Sequence, residues 1–386
     1  MQEATNKPLS GLYKPFQLQQ LHYGPKSVEK HLLDCLPTSE SKAFVITGSS
    51  LANKTPLVKD VEKLLGSRHA GTFSNIKQHA PVADLDVATD QVLKDSSIDT
   101  IISIGGGSPI DSAKAISYRV NERFSKENTG QTKFLQHIAI PTALSAAECT
   151  PMAGFTNSSG QKTGVRDPKL APQCVIYDAT FIPNYTPPHL FLSTGMRAMD
   201  HALETLYHPT ATELAKGITI TAAADLFTYL PKYKADPNDH DIITKLQLAA
   251  YASLGFMGLN MGTSGLGLSH GLGYALGSPY GIPHGYTSCL TLGKVVQLKA
   301  QSGGDAASQI ARATSAAGVQ RSGDDVKDAV EVGKAVEKLV DDLGLKTKLD
   351  DWKVGKDQDK VVVKTATKQE EGPVFDAVLK LVQSLW

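Results

Sequence analysis

TIISIGGGSPIDSAKAIS (100–117) is the stretch on which the fold turns. It opens as a β-branched apolar run, passes through three consecutive glycines and continues in a helical pattern, with Pro109 in the first turn and Asp111 just behind it. A continuous apolar run of this length reads as a strand buried on both faces. Gly105, Gly106 and Gly107, with Ser108, would bring backbone N–H groups to the start of a helix, where the dipole favours an anion such as a pyrophosphate. The bland reading is a tight bend that only lets helix pack on strand. The spacing departs from G-x-G-x-x-G, so this is not the standard Rossmann fingerprint.

Outward from this turn, AFVITG (43–48), FLQHIAIPT (134–142) and QCVIYD (173–178) repeat the buried-strand pattern. VKDVEKLLG and ATDQVLKD, between the first two strands, have helical spacing and would cover the sheet. The alternation predicts a Rossmann-like α/β dinucleotide-binding domain over residues 1–185. Beyond Pro187 strand signals cease and helical patterns such as 211–230 and 328–344 take over, predicting an all-helical catalytic domain over 186–386. The glycine-rich stretch 255–277 keeps a high apolar content, which predicts closely packed helices around a pocket.

The 39 Lys+Arg and 39 Asp+Glu residues cancel, leaving no net field to recruit nucleic acid or an anionic membrane. A small-molecule partner is therefore expected. Cys35, Cys149, Cys174 and Cys289 are scattered, which suits reduced, buried thiols in a cytoplasmic compartment. The segment MQEATNKPLSGLYKPF lacks the apolar core of a secretory signal, and no run of about 20 apolar residues stands out.

The chemistry concentrates in GMRAMDHALETLY (195–207) and SHGLGYALGSPYGIPHG (269–285). Arg197 and His201 are four apart and share a helix face. His201, His270 and His284 offer three neutral imidazoles to a divalent metal, and three histidines alone do make catalytic zinc sites. Arg197 stands where a metal site wants a carboxylate, and it can neither lose its proton nor coordinate. Asp200, one residue before His201, is expected to project about 100° away from it. Without a metal, Arg197 would bind a carboxylate or enolate oxygen, and His201, His270 or His284 would deliver a proton, helped or replaced by Tyr274. The bland competitors are core histidines, an Arg197 paired with Asp200 or Glu204, and a Tyr274 that merely packs.

Through IISIGGGSPIDSAKAIS (101–117), IPTALSAAECTPMAGFTNSSGQKTGVRDPKLAPQCVIYD (140–178), GMRAMDHALETLY and the paired histidines of 269–285, the chain resembles the iron-containing alcohol dehydrogenase superfamily, with its dehydroquinate synthase-like fold. The middle segment is most similar to maleylacetate reductases, which reduce a carbon–carbon double bond of an oxo-acid with a nicotinamide cofactor and are treated as needing no metal. The resemblance implies that Gly105, Gly106, Gly107 and Ser108 hold the pyrophosphate, with Asp111 beside them, and that Thr142 and Leu144 lie along the nicotinamide half. It puts His201, His270 and His284 at the ligand positions of metal-dependent members. Arg197 takes the place of their aspartate, where maleylacetate reductases carry asparagine, and Tyr274 replaces another histidine. Lys162, Arg166 and Asp167 read as a solvated loop, which the resemblance borders on the substrate cleft. Gly48 stands where many relatives carry a ribose-binding aspartate. With Ser49, Ser50 and Lys54 close by, NADPH is expected over NADH. The expected function is reduction of a carbonyl or conjugated C=C of a small oxo-acid or oxygenated metabolite by a metal-free homodimer. A metal-dependent alcohol dehydrogenase and a non-redox protein that binds, eliminates or cyclises are the alternatives.

Overall fold

The computed structural model describes residues 10–77, 80–158, 162–261 and 265–386. Among the described residues eight strands are formed: β1 (Gln20–Gly24), β2 (Lys42–Thr47), β3 (His69–Phe73), β4 (Ile98–Gly105), β5 (Gln136–Pro141), β6 (Met152–Thr156), β7 (Lys162–Arg166) and β8 (Cys174–Asp178). Six make a parallel sheet in the order β1-β8-β5-β4-β2-β3, and β6 and β7 make an antiparallel hairpin. The four strands expected from sequence are β2, β4, β5 and β8. Ile101, Ile102 and Ile104 of β4 are fully buried, as a run covered on both faces requires. The edge strands β1 (QLHYG) and β3 (HAGTF) carry too little apolar sequence to announce themselves.

From β2 the chain steps to one edge of the sheet for β3, then returns past β2 to β4 and builds toward the other edge. The order therefore reverses between β2 and β4, and their C-terminal ends flank the crevice where an open parallel sheet takes its ligand. Gly48 and Ser49 follow β2, and Gly105 to Ser108 follow β4. Gly105 has φ +138°, and a Cβ there would lie 3.0 Å from Pro109 Cγ, so only glycine suits that corner.

After β8 the longer described elements are all helices, chiefly Pro188–Leu206, Glu213–Ala235, His240–Leu254, Leu268–Tyr280, His284–Gln301 and Asp325–Leu343. Helix Pro188–Leu206 is buried at every position from Phe191 to Leu206, with Met196, Met199 and Leu203 in the helical core. A helix buried all round must satisfy its polar side chains inside the protein. One expectation needs correction. The stretch His240–Met261, with mean hydropathy 1.3, is by length and composition apolar enough to cross a membrane. Here it serves the core, with Ile243, Leu246, Ala249 and Ala250 packed against neighbouring helices.

In the glycine-rich stretch, residues 262–264 lie outside the described part, and the rest bears out close approach. A Cβ on Gly271 would sit 3.0 Å from the Ala366 carbonyl oxygen, and one on Gly273 would sit 3.2 Å from Arg197 Nη1. Gly273 thus clears room for the guanidinium. Helices His284–Gln301 and Asp325–Leu343 cross at a second glycine pair, where a Cβ on Gly333 would lie 2.8 Å from the Gly293 carbonyl oxygen. Backbone cannot yield there as a side chain can. Gly333→Ala is expected to destabilise the protein by about 1–3 kcal/mol through overpacking. Urea unfolding checks this, and an unchanged midpoint would show that the helices do not cross so closely.

Candidate active site

Helix Pro188–Leu206 presents Arg197, Asp200, His201 and Glu204 at positions i, i+3, i+4 and i+7, a single stripe. Helix Leu268–Tyr280 contributes Ser269, His270 and Tyr274, and helix His284–Gln301 contributes His284, Ser288 and Thr291. Arg197, His201, His270, Tyr274 and His284 line one cleft, and Gly107, Ser108 and Asp111 of the glycine turn line its sheet side. The two groups of residues singled out in the sequence, some 80 positions apart, therefore meet.

Beneath the cleft runs a buried polar network. Asp200 Oδ2 accepts from Ser288 Oγ at 2.6 Å and Ser269 Oγ at 2.8 Å, and lies 3.4 Å from Arg197 Nη1. Glu204 accepts from the Ser269 amide at 2.7 Å, the His270 amide at 3.2 Å and Tyr207 Oη at 3.1 Å. His270 Nδ1 is 2.7 Å from Glu204 Oε2 and 3.3 Å from Asp200 Oδ1. That commits Nδ1 as the donor and leaves Nε2 without a protein partner. Gly267 is part of the design, because a Cβ there would meet the Glu204 carboxylate at 2.5 Å.

These contacts drive two neighbouring histidines, with ring centroids 4.8 Å apart, in opposite directions. For His270, burial and then the Arg197 charge oppose protonation, but Asp200 and Glu204 outweigh them and its pKa is raised. For His201, burial, then His270 and Arg197, hold the pKa well below the usual histidine range. Burial also opposes ionisation of Asp200, yet His270, Arg197 and Ser288 together hold its carboxyl below the ordinary range. Of the two rings, His270 is thus the one whose surroundings favour its protonated form.

Asp200 and Glu204 are the residues that sequence reading underrated. Asp200 does turn from His201, but at i+3 from Arg197 it lies beside the guanidinium, so the structural pairing weighed for Arg197 is present. Arg197 lines the cleft as well. Tyr274 is 45% exposed at the cleft and meets His284 edge-on at 6.0 Å between centroids.

On the nucleotide side, Ser49 is exposed at the start of the short helix Ser49–Lys54, and Gly48 caps that helix. Thr142 and Leu144 are buried. The Thr142 carbonyl accepts from Thr186 Oγ1 at 2.8 Å, and the Leu144 amide donates to Thr194 Oγ1 at 3.0 Å. Asp111 Oδ2 accepts from the Gly154 amide at 3.2 Å, which ties the glycine-turn helix to the β6–β7 hairpin. Lys114, fully buried one turn on, donates to Ala147 O at 2.5 Å, Met152 O at 2.9 Å and Thr150 Oγ1 at 3.0 Å. Its burial lowers its pKa. The stretch read as a solvated loop is instead strand over Lys162–Arg166, where β7 pairs with β6; Asp167 then caps the turn Pro168–Leu170, and Gln161 and the Lys162 side chain lie outside the described part.

The family model described as iron-containing alcohol dehydrogenase matches residues 19–179, and that for the C-terminal part of the same family matches 191–375. The chain belongs to the iron-containing alcohol dehydrogenase family. It is an NAD(P)-dependent oxidoreductase. It is 28% identical over 305 residues to a maleylacetate reductase of Sphingobium indicum, covering 78% of this chain and 79% of that protein. It is 30% identical to a probable alcohol dehydrogenase, EutG, of Escherichia coli, covering 70% and 67% respectively. Matches to other maleylacetate reductases span 52–61% of those proteins. In solved structures, the maleylacetate reductase of Agrobacterium tumefaciens shares the fold with TM-score 0.80 over 98% of both chains at 23% identity. The α/β sheet and the helical half expected from sequence are thus the fold of this family.

A family named for iron asks whether this donor set fits a metal. Among the described residues, His201, His270 and His284 do not form a group whose ligand atoms all lie within 4.8 Å of one another. Asp200, Glu204 and His270 do form one; Asp200 Oδ2 is taken by two serines and Arg197 and Glu204 Oε2 by His270 Nδ1, while Asp200 Oδ1 and His270 Nε2 make no hydrogen bond. A divalent ion would also face the Arg197 guanidinium. The arrangement does not fit a metal held by the three histidines. The glycine turn does fit a nucleotide, with a glycine-only corner, a helix start and the reversal of strand order at one place. Because the Glu204 hydrogen bond helps raise the His270 pKa, Glu204→Gln is expected to move the alkaline limb of the pH–kcat/KM profile to lower pH. A limb that stays in place would detach His270 from the proton transfer.

Proposed function

We propose that this oxidoreductase is a metal-independent, maleylacetate reductase-like enzyme that reduces a carbonyl or conjugated C=C of a small oxo-acid or related oxygenated metabolite. The observation that carries this reading is the dyad of His270 with Glu204, set beside an arginine in a cleft that opens on the glycine turn. A bound nicotinamide supplies a hydride to the substrate carbon. The electron pair then moves onto the conjugated oxygen, where Arg197 stabilises the negative charge. His270, held in one tautomer by Glu204, carries the proton that completes the addition of two hydrogens. Buried neutral His201 and half-exposed Tyr274 complete the wall around the reacting carbon. The resemblance to maleylacetate reductases, at 28% identity over most of the chain, supports the substrate class.

Gly105, Gly106, Gly107 and Ser108 would hold the pyrophosphate, with Asp111 beside them and the backbone at Thr142 and Leu144 toward the nicotinamide. Gly48 brings no carboxylate to the adenine ribose, whereas Ser49, Ser50 and Lys54 offer hydroxyls and a cation, which favours NADPH. The four free thiols suit a cytoplasmic setting, and the family resemblance implies a homodimer.

Three measurements test this. Elemental mass spectrometry of protein supplied with zinc or ferrous iron should find well under one metal per chain, and Arg197→Ala should lower kcat/KM for an unsaturated oxo-acid by roughly 10²–10³-fold. One metal per chain, lost in His270→Ala, would make the protein a metal-dependent alcohol dehydrogenase, like the relatives named so. In a fluorescence titration NADPH should bind more tightly than NADH, and a tenfold preference for NADH would overturn the cofactor assignment.

A further inference from the structure

The four thiols are unequally placed. Among the described residues, Cys149 and Cys289 fall in no group of metal-ligating side chains, whereas Cys35 and Cys174 come together with His22, one ligand atom of each lying within 4.8 Å of the other two. Cys35 closes the turn Leu33–Cys35 and Cys174 opens β8. In β1, Gln20 is the register partner of Cys174 and His22 that of Ile176, so alternation places these four side chains on one face of the sheet. Gln20 Oε1 lies 2.8 Å from His22 Nε2 and accepts from Cys35 Sγ at 3.7 Å, orienting both from behind. The His22 ring also stacks on His31 with centroids 4.2 Å apart. Cys35 and Cys174 are 5% and 2% exposed, while His22 is half-buried on the edge strand and leaves one way in.

We infer that His22, Cys35 and Cys174 form a soft-metal site at the β1 edge of the sheet, remote from the catalytic cleft in sequence and chemistry, that takes Zn2+. Zinc–sulfur and zinc–nitrogen bonds of about 2.3 and 2.0 Å put tetrahedral ligands roughly 3.4–3.8 Å apart, so a group within 4.8 Å needs to contract by about 1.4 Å at most. Binding releases the two thiol protons to solvent, while the neutral imidazole gives a ring lone pair and a water completes the tetrahedron. A dication with two thiolates is neutral overall, which suits a largely buried position. The ion would staple edge strand β1 and the turn behind it to β8. Carboxylates, the usual companions of Mg2+ or Ca2+, are absent from the group, so hard cations are excluded.

The test uses the full chain, stripped of metal and kept reduced with a phosphine, titrated with Co2+ as a spectroscopic stand-in and then with Zn2+. One equivalent of Co2+ should give a near-ultraviolet thiolate-to-cobalt band that Zn2+ bleaches. The band should vanish in Cys35→Ser, and in His22→Ala the Co2+ affinity should fall at least tenfold. His22 is at the surface, so its variant decides the matter even if Cys35→Ser does not fold. A catalytic histidine site holding cobalt has no thiolate and gives no such band, so failure here is distinct from failure of the metal-free reductase reading. Reduced protein without the band, a band that survives both substitutions, or reduced protein that binds no ion yet closes a Cys35–Cys174 disulfide in air would each overturn the site.

Discussion

Two carboxylates with no access to water govern the catalytic half of this protein. Asp200 and Glu204 are both fully buried on helix Pro188–Leu206. Burying one such charge unpaired is prohibitive, so each must be met by hydrogen bonds and a cation. Two neighbouring helices, Leu268–Tyr280 and His284–Gln301, answer that demand. Ser269 and Ser288 are aimed at Asp200, the start of helix Leu268–Tyr280 is offered to Glu204, and Gly267 and Gly273 give up side chains to leave space. With His270 protonated, Arg197 and His270 balance Asp200 and Glu204 charge for charge. The polar frame and the helix packing are one solution to one electrostatic problem.

That balance decides what the cleft can host. Arg197 lies against Asp200 and His270 Nδ1 against Glu204, so a divalent cation entering here would meet the Arg197 charge beside the carboxylates. An anion fits better, because it meets a cationic rim and a histidine whose pKa is raised. On the proposed reading, the guanidinium of Arg197 and the imidazole of His270 would stabilise the substrate oxygen, on a sheet whose strand order reverses between β2 and β4.

How much of this was legible in the sequence depended on range. The buried strands β2, β4, β5 and β8 announce themselves because a run covered on both faces must be apolar throughout. Edge strands β1 and β3 face solvent or loops and carry no such mark, and the membrane-length apolar stretch His240–Met261 escaped notice because His240, Asp241 and Lys245 interrupt its start. In the site, Arg197, His201, His270, Tyr274 and His284 were found as reactive types in two short motifs, and they do share a cleft. The sequence offers Asp200 and Glu204 only as structural partners of Arg197; the pairing with Asp200 is present, while the tie of Glu204 to His270 is not legible locally. Counted from Arg197, i+3 and i+7 place both on the guanidinium side, and that was the signal available. Which cationic group each carboxylate would meet depends on helices more than 60 residues away, and no local pattern encodes it.

Lys114 has a mechanical meaning. Its ammonium is threaded from the glycine-turn helix into the carbonyls of Ala147 and Met152, and Asp111 on the same helix holds the Gly154 amide. Ala147, Thr150, Met152 and Gly154 also line the cleft. The wall of the cleft is thus bolted to the helix that begins at the glycine turn. A displacement of that helix would therefore carry the Ala147–Gly154 wall of the cleft with it.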